Sequence, residues 1–301
     1  MSSDDRDDQS ERTDREPGVD ADEIPEIDEG RYLYCLVRAD EDAAIELTGI
    51  DDEPVSIVVE DGIGAVVHAC EGIYDSADLA QVRRWLVRHQ TVIDEASERF
   101  GTPIPFQFDT ILRGDDERVR EWIDDEKETL ERALSELADH WEYRVEVVEV
   151  DPVDDETLIE RDDRLRELRA KIDDSEEGTA FLLEKKLDQR LAAVRANRRE
   201  SATDDLEERL AAEAREVHSL ERSPSASLSD EVADEDDGEG ETLCRLTLLA
   251  HEDDEGAIGS ILDDVAATDG LEVRFTGPWP PYTFAPELGN GEETTNSERQ
   301  P

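Results

Sequence analysis

Eight residues constrain the fold of this chain more than any other stretch: Gly277-Pro278-Trp279-Pro280-Pro281-Tyr282-Thr283-Phe284. Each proline fixes φ near about −65° and removes a backbone donor. Each residue before a proline is driven toward extended geometry. The stretch can therefore be neither helix nor interior strand. It reads as a stiff extended ribbon presenting Trp279, Tyr282 and Phe284. Stiff aromatics make large contacts at small entropic cost. Two roles fit: a loop capping the core of its own domain, or a docking surface for a partner. The strand-like run Leu271 to Thr276 delivers Trp279 to a sheet end. Trp279 is accordingly expected partly in the core, with Tyr282 and Phe284 more exposed.

The eight residues carry no charge, in a chain of 301 residues with a formal net charge of −53. Lysine occurs only at positions 127, 171, 185 and 186, and every other cation is arginine. A polyanion built for one basic partner would gather its acid in one patch. Here carboxylates fill tails, loops and helix faces alike, which fits adaptation to multimolar salt. The Debye length falls to about 3 Å at 1 M salt from about 8 Å at physiological strength, so self-repulsion is nearly abolished there. The hydrophobic share is 36%, below that of typical globular chains, yet it falls in periodic runs. Disorder is therefore expected only in an acidic tail (1–30), an acidic Ser/Pro/Gly insert (223–241) and a polar tail (287–301).

Between these segments the pattern is α+β. Residues 31–152 read as an N-terminal ferredoxin-like sandwich. It opens with the apolar strand Arg31 to Val37, followed by Val55 to Val59 and Ile63 to Val67 around an Asp61-Gly62 hairpin signal. Asp78 caps a helix from Leu79 to Phe100, with Leu79, Val82, Leu86, Ile93 and Ala96 as its inner face. Phe106, Phe108 and Thr110 alternate as a strand. A helix beginning at Asp115 or Asp116 carries Val119, Trp122, Ile123, Leu130, Leu134 and Leu137. Trp141 to Val150 then closes the unit as a strand. Residues 153–222 form a helical segment interrupted from Asp173 to Gly178, and 242–286 form a smaller C-terminal α+β unit. Phe106 to Val150 and Leu243 to Thr276 share one order of strand, Asp-Asp turn, helix and strand, which suggests related builds.

Chemistry is hard to find. Cys35, Cys70 and Cys244 are far apart and lack CxxC spacing, so buried free thiols are expected rather than disulfides or zinc. The five histidines show no ligand spacing, and His68 beside Cys70 is a weak catalytic pair. No dinucleotide fingerprint, phosphate loop or nucleophile elbow occurs. No catalytic residue, cofactor or metal is expected, and the chain does not read as an enzyme. The one basic cluster, Lys185, Lys186, Arg190, Arg195, Arg198 and Arg199, sits in a repulsive field for nucleic acid, so internal or partner ion pairing is preferred. No apolar run approaches a spanning helix and the first residues are acidic, so no lipid membrane is expected and a cytoplasmic location is.

Five segments together resemble a known family. They are Tyr32 to Val37, His89 to Ile93, Pro103 to Thr110, Gly178 to Leu183 and Gly277 to Phe284. Their order is similar to that of the GvpF/GvpL family of gas vesicle proteins, across roughly Tyr32 to Phe284. Length and the acidic insert look more like a haloarchaeal GvpL than the shorter GvpF. The pattern departs at Gln107 and Asp109, in a segment often written with Arg and Gly. The resemblance implies an N-terminal ferredoxin-like domain and a C-terminal α+β domain with helices. It also implies a role in gas vesicle assembly through the shell protein GvpA and other accessory gas vesicle proteins. Partner contact is expected at Trp279, Tyr282, Phe284, Phe106 and Phe108. The alternative is a minor structural component retained in the finished vesicle.

Charge alone generates one prediction. Circular dichroism from 0.1 M to 3 M KCl is expected to show structure gained with salt. A fully cooperative native fold at 0.1 M would refute halophilic adaptation.

Overall fold

The computed structural model describes residues 27–220 and 240–288. Nearly all of the expected acidic tail, insert and polar tail lies outside them. The α+β organisation is present, with an antiparallel sheet first and helices in the middle.

The first sheet is built on β1 (Gly30–Arg38). Beside it run β4 (Ile63–Cys70), β3 (Pro54–Glu60) and the short β2 (Leu47–Thr48). The β3–β4 hairpin turns at Asp61 and Gly62, both at positive φ (49° and 85°), as a two-residue turn of this hand requires. On its other side β1 pairs with β5 (Ile104–Pro105) and β6 (Ile111–Arg113). Residues 106–110 do not form the expected alternating strand. They bulge between β5 and β6 through a turn at Asp109, while Phe106 N–H donates to Tyr34 O and Leu33 N–H to Thr110 O.

Helices cover both faces of this sheet. On one side lies α1 (Leu79–Phe100), capped by the Asp78 carboxylate at Ala80 N–H. Its buried stripe is Trp85, His89, Val92, Ile93 and Ala96, not the one expected. Ile93 and Ala96 were anticipated, but Leu79 points to solvent and the amphipathic Trp85 and His89 take the core. On the other side lie α2 (Asp116–Asp125), capped by Asp115, and α3 (Lys127–Glu136), separated by a break at Glu126. They bury Val119, Ile123, Leu130 and Leu134.

The expected closing strand of this unit belongs elsewhere. β7 (His140–Glu149) pairs with β9 (Glu241–His251) and β10 (Leu271–Trp279) in a second sheet, ordered β10-β7-β9-β8. The fourth strand, β8 (Glu216–Ser219), falls in a stretch whose pattern suggested only helix. α4 (Asp155–Arg161), α5 (Asp163–Asp173) and α6 (Glu177–Leu210) join β7 to β8. α7 (Glu255–Ala266) joins β9 to β10. The second unit thus runs β-α-β-β-α-β, the ferredoxin-like connectivity, with its first and last strands adjacent. The suspected internal repeat is not a structural one, because Phe106 to Val150 straddles both sheets.

Of the basic cluster, Arg190 pairs with Asp162, Arg195 with Asp155 and Arg199 with Glu241, so half of it forms ion pairs among the described residues. Cys35, Cys70 and Cys244 are buried free thiols.

Candidate functional site

The proline–aromatic stretch does not run on as an extended ribbon. β10 ends at Trp279, and the chain then turns, with Tyr282 N–H donating to Pro280 O and Phe284 N–H to Pro281 O. It caps a core, but not that of its own sheet. Tyr282 packs against the α1 face of the first sheet, with its hydroxyl on Gln90 Oε1 at 3.0 Å. Phe284 packs against the α2–α3 face and over the His218 ring at 5.0 Å. The two aromatics therefore grip opposite faces of the first sheet from the end of the second.

Between them Thr283 is tied to Glu142 on β7. The Glu142 side chain is fully buried and accepts from Thr283 N–H at 2.7 Å, Thr283 Oγ1 at 3.1 Å and Arg144 Nε at 3.3 Å. Gly277 is needed beside it. At φ +133° it approaches β7 so closely that an added Cβ would sit 2.9 Å from Glu142 O and 2.8 Å from the Tyr143 ring.

Trp279 is the exposed member, at 41%. The cause is register. Phe275 lies on the core side, stacked on Tyr143 at 5.4 Å. Continued alternation would put Trp279 there too. The β10–β7 pairing shifts by one residue between Thr276 and Trp279, and a one-residue shift reverses the face. The expected order of burial is thus inverted, with Tyr282 and Phe284 half-buried inside the molecule. Phe106 stacks near Trp122 at 6.0 Å on one face of the first sheet, and Phe108 joins Tyr32 and His89 on the other. The five expected contact residues do not form one surface.

Under α1 lies a polar core that the sequence did not reveal. Tyr32 OH takes the Asp109 N–H at 3.1 Å and donates to His89 Nδ1 at 2.8 Å, leaving His89 Nε2–H for Phe106 O at 3.1 Å. Tyr34 OH takes the Ile50 N–H at 3.0 Å and donates to His68 Nδ1 at 2.8 Å, leaving His68 Nε2–H for Tyr74 OH at 2.7 Å. One tautomer of each neutral imidazole satisfies every bond. Burial pushes both histidines down to about 4 and the hydroxyls of Tyr32 and Tyr34 up. These shifts stabilise neutral, bonded side chains. His68 is spent on two tyrosines rather than on Cys70. Among the described residues no group of three or more His, Cys, Asp or Glu could hold a metal ion.

Two predictions follow from this geometry. Replacing Glu142 with Leu removes the acceptor of the Thr283 N–H and hydroxyl, and is expected to cost about 2 kcal/mol in a melt at 3 M KCl. Glu142→Gln, which keeps an acceptor, is expected to cost less; equal melts for wild type and Glu142→Leu would show that the tie is idle. The histidines give a pH dependence. Their folded pKa of about 4 lies below an unfolded value of about 6.5. The unfolded chain therefore binds the extra protons. Stability is full above about pH 6.5 and is lost as pH falls toward 4, by about 3 kcal/mol per histidine. The His68→Asn/His89→Asn double variant should show a flatter dependence of melting on pH across this window.

The comparisons with known proteins agree with this architecture. A family model described as gas vesicle synthesis protein GvpL/GvpF matches residues 30–286. Gas vesicle protein L1 of Halobacterium salinarum is 45% identical over 271 residues, covering 89% of this chain and 95% of that protein. Gas vesicle protein L of Haloferax mediterranei is 35% identical over 293 residues, covering 87% and 89%. Crystal structures of GvpF from Anabaena and from Microcystis aeruginosa share the fold, with TM-scores of 0.64 and 0.59 at 18% identity. Each covers 85% of this chain, which spans 98% and 99% of theirs. The chain belongs to the GvpL/GvpF family of gas vesicle synthesis proteins.

Proposed function

We propose that this protein serves gas vesicle assembly, in the cytoplasm and at the vesicle, by binding the shell protein GvpA and other accessory gas vesicle proteins. Its role is non-enzymatic. The observation that carries this reading is Trp279, held 41% exposed at the end of an edge strand. The ring is presented rigidly, because Pro280 and Pro281 are buried behind it and Thr283 is tied to Glu142. A large aromatic on an already ordered support has little entropy left to lose on binding. High net charge supplies the other requirement of an assembly partner, keeping a strongly apolar subunit in solution. Among the described residues no helix is long and apolar enough to cross a membrane.

Trp279→Ala is expected to leave the melt in 3 M KCl within about 1 kcal/mol of wild type, since the ring is not core. Affinity for GvpA in a pull-down is expected to fall about thirtyfold, corresponding to about 2 kcal/mol. A lowered melt with full binding would make Trp279 a structural residue and overturn this site. Blotting urea-washed vesicles separates an assembly factor, which is removed, from a retained structural component.

A further inference from the structure

The outer face of α1 carries its cations and its anions in separate halves. Arg83, Arg84 and Arg88 lie in its N-terminal half, and Asp94, Glu95 and Glu98 in its C-terminal half. The three arginines are exposed and make no ion pair within 4 Å among the described residues, although Asp and Glu number 85 in the chain. Interleaved with them are Leu79, 76% exposed, and Val87, 58% exposed. The two are eight residues apart on one helix face, roughly 12 Å.

This face is also concave. The turn Ile50–Asp52 rises beside α1 and borders an open groove of about 870 Å³. Asp51 accepts from Trp85 Nε1 at 2.7 Å and Gln81 Nε2 at 3.3 Å, so turn and helix are locked together. The groove is thus a built feature on a rigid sheet-and-helix support.

From this arrangement we infer that the α1 groove docks an acidic protein segment, whose carboxylates meet Arg83, Arg84 and Arg88 and whose apolar side chains cover Leu79 and Val87. This names a partner chemistry and rests on the reading that the protein acts by binding, but at a surface separate from Trp279. Charge complementarity favours carboxylates, and arginine is the cation best suited to pairing them in two-point contacts. A nucleic acid fits less well. Its affinity collapses with salt, whereas apolar contacts persist. The groove also offers no exposed aromatic for a base, since Trp85 is buried in its floor, and Asp51 and Asp52 line its rim.

The test uses the full chain in 3 M KCl and a fluorescein-labelled 20-residue helical peptide with a leucine stripe bordered by glutamates. Binding is expected. It should weaken at least threefold in the R83E/R84E/R88E variant, whose pairs this salt largely screens, and at least tenfold in V87S, with melts unchanged because all four side chains are exposed. It should be unaffected by Trp279→Ala, so that loss of GvpA binding in that variant and failure of the groove are read separately. A lysine-bordered peptide should bind at least threefold more weakly. Equal binding by wild type and the triple variant, no binding at all, preference for the lysine-bordered peptide, or arginine-dependent binding of a 20-nucleotide single strand would each overturn the inference.

Discussion

One buried carboxylate ties the two halves of the molecule together at the proline–aromatic stretch. Glu142 sits in the second sheet and holds Thr283, so that Tyr282 and Phe284 fall on the two faces of the first sheet. Burying an anion costs several kcal/mol unless its oxygens are engaged, and here both are. The choice suits concentrated salt. Exposed ion pairs such as Arg120–Glu117 contribute little even in dilute buffer and less when screened. The fully buried Glu142 carboxylate, bonded to the Thr283 N–H, is less open to that screening. Apolar contact, backbone bonds and a few shielded polar ties must hold this molecule together, while its surface charge keeps it apart from its neighbours.

What could be read from the sequence was local, and what could not was relational. The α1 limits, the Asp78 and Asp115 caps, the Asp61-Gly62 turn and the apolar residues of α2 and α3 all follow from short-range rules. The allegiance of β7 does not, because its alternation is the same whichever sheet it joins. β8 is four residues of Glu, Val, His and Ser at a sheet edge, too short and polar to interrupt a helical pattern. Trp279 was misplaced for a sharper reason: the shift between Thr276 and Trp279 has no signature beyond Gly277-Pro278, yet it turns the ring from core to solvent. His68 was weighed as a weak catalytic partner of Cys70 and is core, since it completes the hydrogen bonding of Tyr34 and Tyr74.

The contact surfaces were equally hidden. Phe106 and Phe108 look like neighbours on a strand but lie on opposite faces of a sheet across a bulge. The α1 groove was invisible because its arginines count in composition only as a small offset to −53. Their meaning comes from where they stand relative to the helix axis and to the turn Ile50–Asp52.

The non-glycine residues at positive φ are Asp51, Asp52, Asp61, Asp109 and Asp139, all aspartates among the described residues. Aspartate is one of the few side chains that tolerate this left-handed region. The chain has thus put its solvating charge into the tightest corners of its backbone. A route to a freshwater form follows, since asparagine shares the same tolerance and keeps an acceptor oxygen for Trp85 at position 51 and for Tyr74 N–H at position 109. Five such exchanges would take the formal charge from −53 to −48 while every corner kept its shape. Desalting of this scaffold can therefore begin at its bends, where chemistry and conformation come apart most cleanly.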